Sequence, residues 1–278
     1  MTAARSTYIS AAGYEIHVAE WGDRDRPALV MWHGLARNGR DFDEVATALA
    51  DSYFVLCPDT IGRGLSSWAK AEDEYVFPVY AATALGILDH YGIHRLRWIG
   101  TSMGGLIGAT LAADALKERI THLVLNDIGP DTPSTAADRI ADYVGHPPIV
   151  KTMAALEAWY RTNYAPFGSN TDAFWRRLTE NSMRRTDDGM ITVHYDPGIA
   201  GPFRAGLRDL DVWPAYDRVT AKTLLLRGAQ SDVLPRQVAE QMLVRGPKPI
   251  FIEFEGVGHA PTLTTPSEIA ILRGFLES

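Results

Sequence analysis

Leu96-Arg97-Trp98-Ile99-Gly100-Thr101-Ser102-Met103-Gly104-Gly105 reads as a short apolar strand, an abrupt turn and the start of a helix. The turn carries the pattern G-x-S-x-G, from Gly100 to Gly104. A serine hydroxyl is a weak nucleophile. To act as one it must be lifted clear of a sheet, where it can meet both a base and a carbonyl carbon. Glycines on either side let such a turn close without side-chain clashes. The same turn sets the Met103 N–H at the N-terminus of the following helix, aimed at developing negative charge.

A nucleophilic serine needs a histidine and an acid, and in a strand-turn-helix setting both are expected later in the chain. Of the eight histidines, His259 alone sits in a glycine-flanked loop (Gly256-Val257-Gly258-His259-Ala260) after the last expected strand. His17, His90, His94 and His122 fall in or beside core elements, and His146 and His194 in a middle segment, where structural or solvated imidazoles are the rule. Two aspartates fit the acid. Asp232 follows the apolar strand Leu224-Leu225-Leu226, and Asp127 follows the strand ending at Leu125-Asn126. The reading takes Asp232, with Asp127 as the alternative; the acid fixes the tautomer of His259 and stabilises its imidazolium. A second donor for an oxyanion is expected after an early strand. Met31-Trp32-His33-Gly34-Leu35 supplies it, Gly34 freeing the backbone so that the Leu35 N–H turns inward.

Outward from these loops the chain alternates. Tyr8 to Ser10 and Gly13 to Glu20 form an expected hairpin around Ala11-Ala12-Gly13, and Ala28 to Trp32 and Tyr53 to Cys57 are apolar runs typical of strands buried on both faces. Helical spacing marks Phe42 to Leu49, Val79 to Tyr91 and Met103 to Leu116. After Pro130 the rhythm breaks into proline-spaced helical patches, Ile149 to Tyr164 and Asp172 to Met183 among them. It resumes with Thr223 to Leu226 (strand), Arg236 to Val244 (helix), Pro249 to Ile252 (strand) and Pro266 to Leu276 (helix). The expectation is an α/β fold: a mostly parallel sheet of about eight strands with helices on both faces. Its core spans residues 1–129 and 216–278, and residues 130–215 form a largely helical cap.

The composition narrows the function by exclusion. The chain has 278 residues, 46% of them hydrophobic and 22% charged, ample for a large core. Its net charge of −7 argues against nucleic acid and against anionic membrane surfaces. The single cysteine, Cys57, allows no internal disulfide and no thiolate metal cluster. The residues Met1 to Thr7 show no apolar signal core, and the uncharged run from Trp98 to Ala113 is shorter than the roughly 18 apolar residues of a membrane span. The expectation is a soluble, cytoplasmic protein that needs neither metal nor organic cofactor.

With these motifs in place, the chain resembles the α/β-hydrolase fold superfamily, in its cap-bearing esterase-like branch, from Gly13 to Phe275. The resemblance rests on His33-Gly34, the stretch Pro58-Asp59-Thr60-Ile61-Gly62-Arg63-Gly64-Leu65-Ser66, Gly100 to Gly105, the Asp232 loop and Gly258-His259, all in the family's order. It implies a Ser102-His259-Asp232 triad with Leu35 and Met103 as oxyanion donors, and a bed under the site shaped by the Asp59 turn. A serine nucleophile disfavours the aspartate-dependent dehalogenases and epoxide hydrolases. Carboxylesterase is the leading expectation, with a small-molecule ester as partner. A lactonase or C–C bond hydrolase, a cofactor-free perhydrolase or haloperoxidase, and a ligand receptor retaining the triad are the alternatives. Trp159, Tyr160, Tyr164 and Phe167 in the cap, and Arg37 beside the oxyanion loop, are the candidate substrate contacts. A roof of aromatic residues without an evident cationic cluster points to uncharged esters.

Overall fold

The structure is a computed structural model that describes residues 4–204 and 212–278. Eight strands form one sheet in the order β1-β2-β4-β3-β5-β6-β9-β10. They are β1 (Arg5–Ala11), β2 (Tyr14–Trp21), β3 (Ala28–Trp32), β4 (Phe54–Pro58), β5 (Leu96–Thr101), β6 (Ile120–Asn126), β9 (Lys222–Gly228) and β10 (Ile250–Phe254). The β1–β2 and β2–β4 pairs are antiparallel and every other pair is parallel. The β1–β2 turn puts both Ala12 (φ 50°) and Gly13 (φ 84°) in the left-handed region, the turn whose twist matches a tight hairpin.

Alternation along the strands makes two cores. Val30, Trp32, Trp98 and Leu125 face one side, with α2 (Phe77–His90), α3 (Met103–Ala113), α8 (Trp213–Arg218) and α9 (Arg236–Val244). Leu29, Met31, Ile99, Val124 and Leu226 face the other, under α1 (Asp43–Leu49) and α10 (Pro266–Leu276). Strands covered on both faces must be apolar at every position, and all five residues of β3 and of β4 are buried.

Between β6 and β9 the chain leaves the sheet. It forms α4 (Ser134–Gly145), α5 (Met153–Asn163), α6 (Asp172–Asn181), the two-stranded hairpin β7 (Met183–Arg185) with β8 (Ile191–Val193), and α7 (Gly201–Arg204). Of the expected cap, residues 205–211 lie outside the described residues, as do Met1 to Ala3 at the N-terminus. Polar contacts fasten this segment over the C-terminal edge of the sheet. Asn38 Nδ2 donates to the Asn181 carbonyl (2.7 Å), Tyr75 to Asp196 (2.7 Å), and the Gly64 N–H to His194 Nδ1 (2.7 Å). Among the described residues no helix is long and apolar enough to cross a membrane.

Candidate active site

Parallel pairing brings the ends of β3, β5 and β6 to one edge. Trp32 is in register with Gly100, and Thr101 with Asn126, so the segments that follow, at Gly34, Ser102 and Asp127, emerge side by side. Ligands of open α/β sheets bind at this carboxyl edge. Ser102 caps α3 with φ 52° and ψ −118°, a conformation rarely held by a residue with a side chain and one that thrusts the hydroxyl away from the sheet. Space around the turn is minimal. A Cβ on Gly104 would overlap the Trp32 carbonyl, and one on Gly100 would overlap the Gly104 backbone, which explains both glycines sterically. The Ser102 N–H donates to the Asn126 carbonyl (3.0 Å), and the Asn126 amide donates to Thr101 Oγ1 (3.0 Å) and to the Pro261 carbonyl (2.9 Å). Asn126 therefore ties the serine turn to the histidine loop.

A continuous hydrogen-bonded chain runs from the serine. The Ser102 hydroxyl stands 3.0 Å from His259 Nε2, and His259 Nδ1 stands 2.8 Å from Asp127 Oδ2. Because Asp127 can only accept when ionised, Nδ1 carries the proton and Nε2 is left to accept from the hydroxyl. Asp127 is wholly buried, at φ 56° just past β6. Its Oδ1 accepts from the Gly228 N–H (2.8 Å), and its Oδ2 also accepts from Ser231 Oγ (2.6 Å). The loop after β9 thus wraps the carboxylate.

The acid expected from the sequence is corrected here: Asp232 does not reach His259. It projects outward, with its side chain 46% exposed, and forms a paired contact with Arg139 of α4 (2.8 and 3.0 Å). The physical reason is adjacency. β6 lies directly beside β5, so its loop is the nearer one to the serine turn. The β9 loop supplies donors to Asp127 and turns its own carboxylate to the surface.

Leu35 and Met103, the expected oxyanion donors, both lie next to the serine turn. Met103 begins α3, and Gly34 abuts the serine: a Cβ built on Gly34 would lie 3.6 Å from Ser102 Cβ, in ordinary contact. His33 anchors this loop. Its Nδ1 donates to the Gly34 carbonyl (2.7 Å) and its Nε2 accepts from the Thr60 N–H (2.9 Å). Complete burial pushes the His33 imidazole down to about 4, so it stays neutral, as that bonding requires. Arg63, fully buried, donates to the Leu35 carbonyl (2.8 Å) and the Ile61 carbonyl (2.7 Å) and reaches the Met103 sulfur (3.8 Å). It touches both residues of the expected oxyanion pair, a role hidden in the sequence because its partners come together only in the folded chain. Below, the Asp59 carboxylate accepts from Gly39 N–H (2.8 Å), Leu65 N–H (2.9 Å) and His17 Nδ1 (2.8 Å), holding the turn that supports the loop.

A cavity of about 480 Å³, its open mouth included, contains Ser102 and His259. Of the expected substrate contacts, Arg37, Tyr164 and Phe167 line it. Trp159 and Tyr160 do not. Tyr160 is fully buried and donates to the Ser182 carbonyl (2.6 Å), while Trp159 packs edge-on against Tyr143 and Tyr160. Tyr143 and Arg139 of α4 also line the cavity and were not anticipated, since their helix turns toward the site only once the segment folds back over the sheet. A second cavity, sharing Arg37, Thr101, Phe167 and Ala260 with the first, extends toward Phe174 and Arg177. The sequence showed no evident cationic cluster in the roof; among the described residues the wall around Ser102 holds two arginines, Arg37 and Arg139, each paired to an aspartate outside that wall, Asp41 and Asp232.

The sequence profile of the family described as alpha/beta hydrolase fold matches residues 27–265. The chain is 39% identical to a 3-hydroxybutyrate-oligomer hydrolase of Cupriavidus necator, over 96% of this chain and 94% of that protein. It is 25% identical to a 3-oxoadipate enol-lactonase of Acinetobacter baylyi, over 81% of this chain and 79% of the relative. Among solved structures it is similar to an alpha/beta hydrolase from Novosphingobium aromaticivorans. The TM-score is 0.90 and the identity 35%, over 100% of this chain and 99% of that one.

Proposed function

The chain belongs to the α/β-hydrolase fold family, and from that premise we propose that it is a serine hydrolase of carboxylic esters, acting through an acyl-enzyme on Ser102, with esters of short hydroxy acids as its substrate class. The observation that carries this reading is the Ser102–His259–Asp127 chain at the carboxyl edge of the sheet, with both hydrogen bonds formed. The 3-hydroxybutyrate-oligomer hydrolase similar over nearly the full length supports the substrate class.

His259 Nε2 takes the hydroxyl proton as Ser102 Oγ attacks the acyl carbon. Charge moves to the carbonyl oxygen, which the Leu35 and Met103 N–H groups receive, each worth about 3 kcal/mol in the transition state. Asp127 stabilises the imidazolium without taking its proton. The imidazolium then protonates the leaving alkoxide, and the Ser102 ester remains. Water attacks that ester with His259 again as base, releasing the acid and restoring the hydroxyl. In this reading residues 130–215 act as a lid that shapes the substrate cavity, and Tyr164 and Phe167 are its contacts. A lactone is an internal ester opened by the same steps, and the similarity to an enol-lactonase makes lactonase the second reading.

The test is hydrolysis of p-nitrophenyl esters of graded acyl length, of linear 3-hydroxybutyrate dimer and of small lactones, by the protein and by Ser102→Ala. The expected result is a preference for short acyl chains and for the dimer, abolished in the variant. No turnover on any of these substrates, or full activity in Ser102→Ala, overturns the proposal.

A further inference from the structure

Arg37 is 4% exposed, and one edge of its guanidinium is spent: Nε donates to Asp41 (2.8 Å), and Nη2 to Asp41 and to Ser182 Oγ (3.0 Å). The opposite corner, Nη1, is buried and has no hydrogen-bond partner. A charged donor left unpaired in the interior is costly, and such groups in native proteins mark a place for water, an ion or a ligand. The group is held still. The faces of Tyr160 and Tyr164 lie 5.7 and 5.2 Å from its central carbon. The Tyr164 hydroxyl, also buried, makes no well-formed hydrogen bond but lies within weak reach of both Arg37 and Tyr143. Arg37 and Tyr164 both line the cavity that contains Ser102 and His259; among the described residues its wall also holds Arg139, which is paired to Asp232, and no carboxylate. Asp41 faces the second cavity, behind the side-on edge that it occupies.

Resting on the reading of Ser102 as an ester-cleaving nucleophile, we propose that Arg37 Nη1 and the Tyr164 hydroxyl form a carboxylate cradle. The substrate is then a monoanionic ester, whose free carboxylate docks there while its scissile carbonyl meets Ser102. An arginine N–H and a phenol O–H held near one another suit the two oxygens of a carboxylate, and charge-assisted bonds of this kind are the strong ones. The shared cavity keeps carboxylate and ester close together, as in a short hydroxy-acid oligomer with a free acid end. Arg139 lies in the same wall with its guanidinium already paired to Asp232, which leaves Arg37 Nη1 as the donor for the anion.

The experiment compares the linear 3-hydroxybutyrate dimer acid with its terminal primary carboxamide, a neutral isostere. Binding is measured by calorimetry in a Ser102→Ala background, and turnover in the protein with Ser102. The expected result is binding of the acid at least about tenfold tighter than the amide, the size of one charge-assisted bond. Adding Tyr164→Phe should cut that ratio several-fold, and Arg37→Met should bring it close to one. Tyr164→Phe preserves shape and keeps the test decisive where Arg37→Met, which strands Asp41, does not fold. Equal binding of acid and amide, or a ratio untouched by Tyr164→Phe, overturns the cradle. Selective binding of the acid without turnover of any ester upholds the cradle and overturns the esterase reading alone.

Discussion

Asp127 stands 2.8 Å from His259 across the join between the β6 and β10 loops, with its carboxylate wholly buried. That relationship separates two aspartates that occupy similar positions after neighbouring strands. Asp127→Asn keeps the shape but offers the imidazole the wrong hydrogen-bonding partner, and kcat should fall roughly ten-thousand-fold. Asp232→Asn disrupts only a half-exposed ion pair, and kcat should stay within about threefold of the parent. Ester hydrolysis by the two purified variants, with circular dichroism to check folding, measures both. The reverse ranking would return the acid to Asp232.

Arg63 should act on rate more than on affinity. It donates to the Leu35 carbonyl and touches the Met103 side chain, the two residues whose amides are proposed to receive charge in the transition state. Arg63→Lys keeps the charge but loses the planar fork, and kcat should drop about 10- to 100-fold with KM little changed. Steady-state kinetics decide it; an altered KM with intact kcat would make Arg63 part of substrate binding instead.

Two glycine substitutions should move stability in opposite directions. Gly104→Ala drives a methyl into the Trp32 carbonyl, and a loss above about 4 kcal/mol, seen as failure to accumulate folded protein, is expected. Gly274 lies inside α10 with open space where a Cβ would go, so Gly274→Ala should raise stability by about 0.5–1 kcal/mol. Urea melts of the two variants provide the comparison.

Acid should weaken the fold through buried imidazoles. Burial, helped by the nearby Arg37 charge, pushes His194 down to about 3 from the ordinary 6.5, and burial pushes His33 down to about 4. Between about pH 6.5 and these values the unfolded chain binds protons that the fold refuses, so stability is full above that range and falls as pH falls. His194→Asn retains an acceptor for the Gly64 N–H but does not titrate. The stability lost between about pH 7 and about pH 5 should shrink by about 2 kcal/mol in this variant. An unchanged loss would place the acid sensitivity elsewhere.

Much of the molecule was legible in the order of its residues. Apolar runs such as Ala28 to Trp32 and Phe54 to Cys57 are strands because only strands buried on both faces need every position apolar. The glycine-framed Ser102 and the isolated His259 loop stood out for a similar reason: their chemistry demands local backbone geometry, and local geometry is written in local sequence. The alternation of α/β elements, with its break after Pro130, is likewise written in the spacing of apolar residues.

Three features were not legible, and each depends on which segments become neighbours. The sheet order β5-β6-β9 decides that Asp127 meets His259, while the β9 loop closes over it through Gly228 and Ser231. The sequence by itself determined the α/β architecture, the serine and the histidine, because strand burial and turn sterics act within a few residues. Only the tertiary structure decided which aspartate meets His259, the separation of Tyr164 from the packing residues Trp159 and Tyr160, and the placing of Arg37 and Arg139 in the cavity wall. Those outcomes rest on contacts between loops far apart in the chain, where several residues share the right chemistry and packing selects the one that is buried beside its partner.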